Sequence, residues 1–489
     1  MVFSSSVFLL YFLPAFLILY LLLALIPRNW PKNLFLLLAS VGFYAWGAPV
    51  FVIVLTGSVL ADFFILKEME RHESRIRKIL FGLSVAVNLG LLLYFKYMNF
   101  FVDQFDILLG WFGGKPAAWT RIALPIGISF ITFQKLSCTL DVYKRRHPAL
   151  KKLQDYALYI FMFPQLLSGP IVRAGEIAGQ ITDRRARENT GERLIGFYRF
   201  VLGLAKKVLV ADVLGTTVNE LFALSSLELS TSLAWMGAIA YAFQIYFDFS
   251  GYTDMAIGLA RMAGFRLPEN FHFPYLATSI TDFWKRWHIT LSAWLRDYLF
   301  LPIAYSASRR WKREKYLGIR TDKVLYGFAA LITFLLCGFW HGAAWTFILW
   351  GGYMAVFLIL ERLFLLRWLR KAGKVPSILF TFLVLVIGWV IFRSESLDFA
   401  WYYLRRMFLF VECRNEIWLN PKFWTMLGVA VFFSFWGSWN RISKWVEKLY
   451  SAPGTLTVIL FTVLALALFV LSEAAITSGV FTPFIYFRF

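Results

Sequence analysis

Seven solid apolar runs punctuate the chain: Val7 to Ile26, Phe51 to Leu66, Ile79 to Tyr97, Val324 to Trp340, Ala343 to Leu360, Leu379 to Phe392 and Leu456 to Leu471. Each approaches the length a helix needs to cross roughly 30 Å of hydrocarbon. None alternates apolar with polar positions, as the strands of a closed barrel would. At membrane depth the backbone must satisfy its own hydrogen bonds, so these runs predict helices. Shorter, interrupted runs lie between them, which predicts about ten or more spans, some broken. The fold class is therefore all-α, a polytopic membrane protein. No polar stretch is long enough to fold separately, so residues 1–489 are expected to form a single membrane-embedded domain.

The pattern degrades between Gly110 and Glu192, where short apolar pieces carry Pro125, Pro164 and Pro170 with Gly127 and Gly169. Such residues end or kink helices. Irregular backbone at depth is tolerated where protein buries it or where it lines a cavity, which predicts re-entrant or half-length helices around a central cavity. Basic clusters run Lys67 to Lys78, Lys144 to Lys152, Asp183 to Glu188 and Ser308 to Lys323. All are expected on the cytoplasmic side. With Arg28 and Lys32 also inside, the N-terminus falls outside. The first run lacks a basic start and a small-residue cleavage pattern, so it reads as a retained span. No period marks internal repeats.

Composition agrees with this picture, since 59% of residues are hydrophobic, 19% aromatic and only 16% charged. The net charge of +21 belongs to loops facing the cytoplasm and does not call for nucleic acid. Cys138, Cys337 and Cys413 are odd in number and scattered, against a disulfide framework or a zinc module. Cys337 stands one turn before His341, but two ligands make no metal site, and packing is the simpler role.

Ionisable groups inside apolar sequence are costly and mark candidate sites. Three constellations stand out. The segment Thr281 to Pro302 places Trp284, Trp287, Leu291, Trp294, Leu295 and Tyr298 on one face at helical spacing, with Lys285, Arg286, Arg296 and Asp297 elsewhere. It predicts an interfacial or cavity-lining helix, with His288 sharing the face of Trp284 and Leu291. The segment Tyr246 to Phe271 holds Asp248 and Asp254, expected to pair with Lys or Arg from another helix, since unpaired buried charge is expensive. The third is "LLCGFWHGAAWTFILWGG", Leu335 to Gly352, where Gly338, Gly342, Ala343 and Ala344 thin the helix around His341. Small neighbours allow another chain or a substrate to approach closely.

Low dielectric favours neutral imidazole over imidazolium, which leaves a ring nitrogen able to accept a proton. A histidine there is a candidate general base. No nucleophile elbow accompanies it, so direct attack by an acceptor hydroxyl fits better than a covalent acyl-enzyme. A donor with a phosphate-bearing head would dock on the basic loops.

Eight stretches in order carry a resemblance: "MVFSSSVFL" at Met1, "LPIGISFITFQ" at Leu124, "FPQLLSGPIVR" at Phe163, "YFDFSGYTDMAIGLARMAGF" at Tyr246, "SITDFWKRWHITLSAWLRDYLFLP" at Ser279, "FWHGAAW" at Phe339, "GWVIFRSE" at Gly388 and the final "FIYFRF". By these the chain resembles the membrane-bound O-acyltransferases, and among them the alginate O-acetyltransferase membrane subunits of bacteria and their polysaccharide-acetylating relatives. The resemblance implies a ring of tilted transmembrane and re-entrant helices around a central tunnel. It implies His341 as catalytic histidine and His288 as its second, acetyl-CoA as donor with no bound cofactor or metal, and a polysaccharide acceptor reached through an extracytoplasmic acetyl-handling partner protein. It also implies the cytoplasmic (inner) membrane of a bacterium. Where relatives acting on alginate carry a Gly-Gly-Asn-Arg loop after "LRDYLY", this chain reads "LPIAYSASRRWKREK", which bears on the acceptor more than on the reaction.

The expected site thus comprises His341 and His288 as catalytic residues, with Lys285, Arg286, Arg309, Arg310, Trp340 and Asp297 contacting substrate. In the expected mechanism His341 takes the acceptor proton, while His288 donates to the thioester oxygen or orients the acceptor. Rival cargoes on the same fold are peptidoglycan O-acetylation and D-alanyl transfer to teichoic acid. A more distant rival is a secondary transporter, with Asp248 and Asp254 coupling an ion.

Overall fold

A computed structural model describes residues 1–225, 228–316, 318–412, 419–439, 454–479 and 484–485; Cys413 lies outside them. In chain order the helices are α1 (Val7–Ala24), α2 (Asn29–Gly47), α3 (Pro49–Arg71), α4 (Ser74–Trp111), α5 (Ile128–Tyr143), α6 (Leu153–Phe161), α7 (Ala174–Thr182), α8 (Thr190–Ala205) and α9 (Asp212–Ala223). They continue with α10 (Thr231–Met262), α11 (Ile280–Phe283), α12 (Ile289–Leu295), α13 (Leu301–Arg310), α14 (Thr321–His341), α15 (Trp345–Ala372), α16 (Lys374–Arg393), α17 (Leu397–Phe408), α18 (Pro421–Phe435) and α19 (Thr455–Ser478). Among the described residues, β structure is confined to a minimal pairing of Lys315–Tyr316 with Ile319–Arg320. Among the described residues, α1, α3, α4, α14, α15, α16 and α19 are long and apolar enough to cross a membrane. They coincide with the seven runs legible in the sequence.

Internal packing divides the chain into two compact units, Met1–Phe200 with Met255–Pro268, and Val201–Asp254 with Glu269–Phe489. In the first, the broken stretch does produce short helices. The 16 residues of α5 span only about 24 Å, less than the hydrocarbon thickness. Its start is set by Gly127, at φ +79, where a Cβ would stand 2.8 Å from the Leu166 carbonyl oxygen. Nearly every residue of α5 is buried, so protein surrounds it. Lys135 on α5 meets Asp62 of α3 at 3.1 Å, and Ser84 and Asn88 of α4 donate to the same carboxylate, so a fully buried ion pair ties three helices together. The basic segment Asp183 to Glu188 is only partly a solvent loop. Arg184 turns inward, donating to Asn33 Oδ1 (2.6 Å) and Tyr20 Oη (2.9 Å) and lying 4.4 Å over the Phe265 ring.

In the second unit, Gly251 lets α10 run backbone to backbone against the end of α8. A Cβ there would be 2.7 Å from the Gly203 carbonyl oxygen. That approach lets two carboxylates of α10 meet the consecutive lysines of the π turn Lys206–Ala211, Asp254 with Lys206 at 2.6 Å and Asp248 with Lys207 at 2.8 Å. The pairing expected from the sequence is observed. α14 and α15 pack equally closely through Gly338 and Gly351: a Cβ on either would fall within 3.3 Å of the other's Cα.

One expectation is overturned. Thr281 to Pro302 is not one helix: it breaks between α11 and α12 at His288, which adopts φ +44. The cause is tertiary. His272 N–H donates to the Arg286 carbonyl, and Ile289 and Thr290 N–H donate to the Asn270 carbonyl and side-chain oxygens, so backbone groups that a helix would use are taken by residues 270–272. His288 therefore does not share a helix face with Trp284 and Leu291. The apolar face itself survives as burial, for Trp284, Trp287, Leu291, Trp294, Leu295 and Tyr298 are all buried.

Candidate active site

His341 is the last residue of α14, 5% exposed, with Trp340 beside it at 4.9 Å between ring centroids. Its ring meets Trp350 edge-on at 5.2 Å and Phe392 at 5.2 Å. Phe392 in turn meets Phe347 at 5.0 Å. Gly342 makes this possible, because the Phe347 ring occupies the space a Cβ at 342 would take. The small residues noted in the sequence thus serve two purposes, backbone contact at Gly338 and ring packing at Gly342.

Phe347 and Phe392 are also part of the wall of a cavity of about 1080 Å³. Its other walls include the rings of Phe222 and Phe399 and the polar groups of Asn219, Thr346, Arg393, Ser394 and Glu395. Arg393 is fixed there by donation to Asn219 Oδ1 (2.8 Å) and by the Phe222 and Tyr241 rings at 4.6 and 5.0 Å. Aromatic faces alternating with hydrogen-bonding groups suit a polar ligand that also has apolar faces. The imidazole of His341 lies directly behind the aromatic part of this wall.

A second cavity, of about 370 Å³, is lined by Lys285, Arg370 and Lys374 with Asp282, Ser279 and Ser377. Lys374 opens α16 and Arg393 closes it, so the two cavities mark opposite ends of one 20-residue helix. At 1.5 Å per residue that separation is about 30 Å, the thickness of the hydrocarbon layer. Near the second cavity Glu361 is buried and accepts from the N–H groups of Ile280 and Thr281 and from Thr281 Oγ1, fixing the start of α11.

His288 is buried, with Nδ1 at 3.2 Å from Asn270 Oδ1 and its ring edge-on to Phe249 at 4.7 Å. The same oxygen takes the Thr290 N–H, which can only donate, so Nδ1 carries the proton and Nε2 the lone pair. Burial pushes the imidazole down to about 3, so it is neutral at ordinary pH. A ladder of rings joins the two histidines: Trp350 on His341, then Trp389 (6.1 Å), Trp287 (5.0 Å) and Phe249 (6.4 Å) beneath His288.

Of the expected substrate-contacting residues, Trp340 stands at His341 and Lys285 lines the second cavity. Arg286 is paired with Asp282 (3.0 Å) and Asp297 with Arg296 (2.7 Å), while Arg309 and Arg310 are exposed at the end of α13; none of these four lines either cavity. Sequence reading passed over Arg370 and Lys374, although "RWLRKAGK" is as basic as the loops it did use. It also passed over Asn270, inside the segment Tyr246 to Phe271, and Arg393 and Glu395, inside "GWVIFRSE".

The sequence profile of the membrane-bound O-acyltransferase family matches residues 133–397, a range that contains both histidines and the whole second cavity. The chain belongs to the membrane-bound O-acyltransferase family. This acyltransferase is 42% identical over 415 residues to the probable alginate O-acetylase AlgI of Azotobacter vinelandii, covering 84% of this chain and 78% of that one. It is 38% identical to the protein of the same name from Pseudomonas putida over the full length of both. Identity to the peptidoglycan O-acetyltransferase of Helicobacter pylori is 34%, over 83% of this acyltransferase and 80% of that protein. It is therefore an O-acyltransferase and a multi-pass membrane protein.

Proposed function

We propose that this acyltransferase moves an acetyl group from cytoplasmic acetyl-CoA to a hydroxyl of an extracytoplasmic polysaccharide, by way of a partner protein, with His341 as general base. The observation that carries the reading is the pair of cavities at opposite ends of α16, one basic, the other polar and aromatic with His341 behind its wall. Lys285, Arg370 and Lys374, with the N-terminus of α16, suit the phosphates of the donor. Basic residues gather at the same end of this unit, where Arg370 and Lys371 end α15. Placing that end inside the cell puts His341 outside; in the first unit the same rule, applied to Arg71 at the end of α3 and Arg75 and Lys78 at the start of α4, puts the start of α1 outside.

In this scheme His341 removes the proton of the acceptor hydroxyl as its oxygen attacks the thioester carbonyl. The tetrahedral intermediate then collapses, the carbon–sulfur bond breaks, and the proton passes to the leaving thiolate. His288 is neutral with its lone pair on Nε2, which supports accepting from the acceptor hydroxyl over donating to the thioester oxygen. The similarity to alginate O-acetylases supports a polysaccharide acceptor, with peptidoglycan O-acetylation and D-alanyl transfer to teichoic acid as the alternatives the relatives raise.

The test uses proteoliposomes given labelled acetyl-CoA, and cells compared for the acetyl content of polysaccharide and of peptidoglycan. A general base contributes about a hundred- to ten-thousand-fold, so His341→Ala is expected to lose transfer by that factor while still inserting. Unchanged transfer in that variant would remove His341 from the chemistry.

A further inference from the structure

We propose that Phe484 and Ile485, which follow α19 in the chain, are a positioning element of the acyl-transfer site, anchored by Asp248 and acting through Phe249 on His288. The inference rests on the reading of the two histidines given above. Ile485 donates its N–H to Asp248 Oδ2 at 2.8 Å, across 237 positions of sequence. The other oxygen of that carboxylate meets Lys207 Nζ at 2.8 Å, and the same ammonium meets Asp212 at 2.5 Å. Both Lys207 and Asp248 are buried, so the charge pair offers a fixed acceptor in a water-poor place.

Phe484 is fully buried. It stacks on Tyr252 at 4.5 Å and touches Phe249 at 5.8 Å; Phe249 is the ring on which His288 rests edge-on. Ile485, next in sequence, is buried and forms part of the wall of the large cavity. Two adjacent residues thus reach both the packing behind one histidine and the chamber beside the other. The consequence follows from His288 itself. Its left-handed backbone persists only because its surroundings over-determine it. Deleting the Phe484 ring removes support from Phe249, and a displacement of about 1 Å at a catalytic group costs about a hundredfold in rate. Neither Phe484 nor Ile485 lines the second cavity, at the far end of α16, so the proposed donor site is untouched by changes at these two residues.

The experiment is steady-state transfer by the full chain in proteoliposomes, normalised to folded enzyme, for Phe484→Ala and for Ile485→Pro, which deletes the N–H given to Asp248. The expected result is a kcat lower by about ten- to a hundredfold in both, with KM for acetyl-CoA within about twofold of the parent. Parental kcat per folded enzyme, or a KM that rises as kcat falls, overturns the proposal. Should Phe484→Ala yield no folded protein, Phe484→Leu keeps bulk without the ring stack and decides by the same criterion. His341→Ala runs alongside. Activity there sinks the reading of the site, whereas an inactive His341→Ala with a normal Phe484→Ala sinks only the positioning role.

Discussion

Gly342→Ala isolates the geometry around His341 without touching its chemistry. Gly342 has extended backbone, φ −163 and ψ 151, which alanine adopts without strain, so any effect is steric. The added Cβ would lie 3.1 Å from Phe347 Cζ and closer still to Cδ2 and Cε2, whereas ordinary carbon contacts are about 3.5–4.0 Å. The Phe347 ring must move, and its neighbour is Phe392, which packs on the His341 imidazole. Overpacking of this kind costs about 1–3 kcal/mol. If about 2.7 kcal/mol of it is felt in the transition state, transfer falls about a hundredfold. The assay is acetyl transfer in proteoliposomes together with thermal melting in detergent. Gly342→Ala with Phe347→Ala should regain part of the loss, because the second change empties the space the first one needs, and the double-mutant coupling should be favourable. Parental activity in Gly342→Ala, or strictly additive losses in the double variant, would refute the steric argument.

Two further outcomes are expected. Arg370→Ala and Lys374→Ala should each raise KM for acetyl-CoA with little change in kcat, the effect shrinking as salt is raised, as read from initial rates at two ionic strengths. His288, held near 3 in the folded protein against an ordinary value of 6.5, binds its proton more readily when unfolded, so it withdraws stability as pH falls from about 6.5 toward 3. Over that window His288→Gln should flatten the pH dependence of the unfolding free energy by up to about 1.4 kcal/mol per pH unit, read as a shallower change of melting temperature with pH, and an unchanged slope would contradict burial of a neutral ring.

Much of the site was legible because single residues were out of place in their surroundings. His341 stands among apolar and small residues, and the glycines around it announced a close approach that Gly338 and Gly342 both make. Asp248 and Asp254 called for cationic partners, and the partners are Lys207 and Lys206. The helix through His288 was misread because local periodicity favours it. The backbone bonds from residues 270–272 that break it are invisible to any local pattern. The cations of the second cavity were not legible for a related reason. Arg309, Arg310, Arg370 and Lys374 all lie in basic stretches, and only the fold brings the last two beside Lys285.

The length and solidity of the apolar runs determined that this chain is a helical membrane protein, because the choice between helix and water is made residue by residue along each run. The motifs carried the family. Which charges meet, where α14 and α15 touch, how cavities form at both ends of α16, and why Phe484 comes to rest behind Phe249 were decided by tertiary structure. Each depends on groups that chain connectivity leaves far apart, and whose approach is fixed by what a backbone contact, a buried charge or a missing Cβ allows.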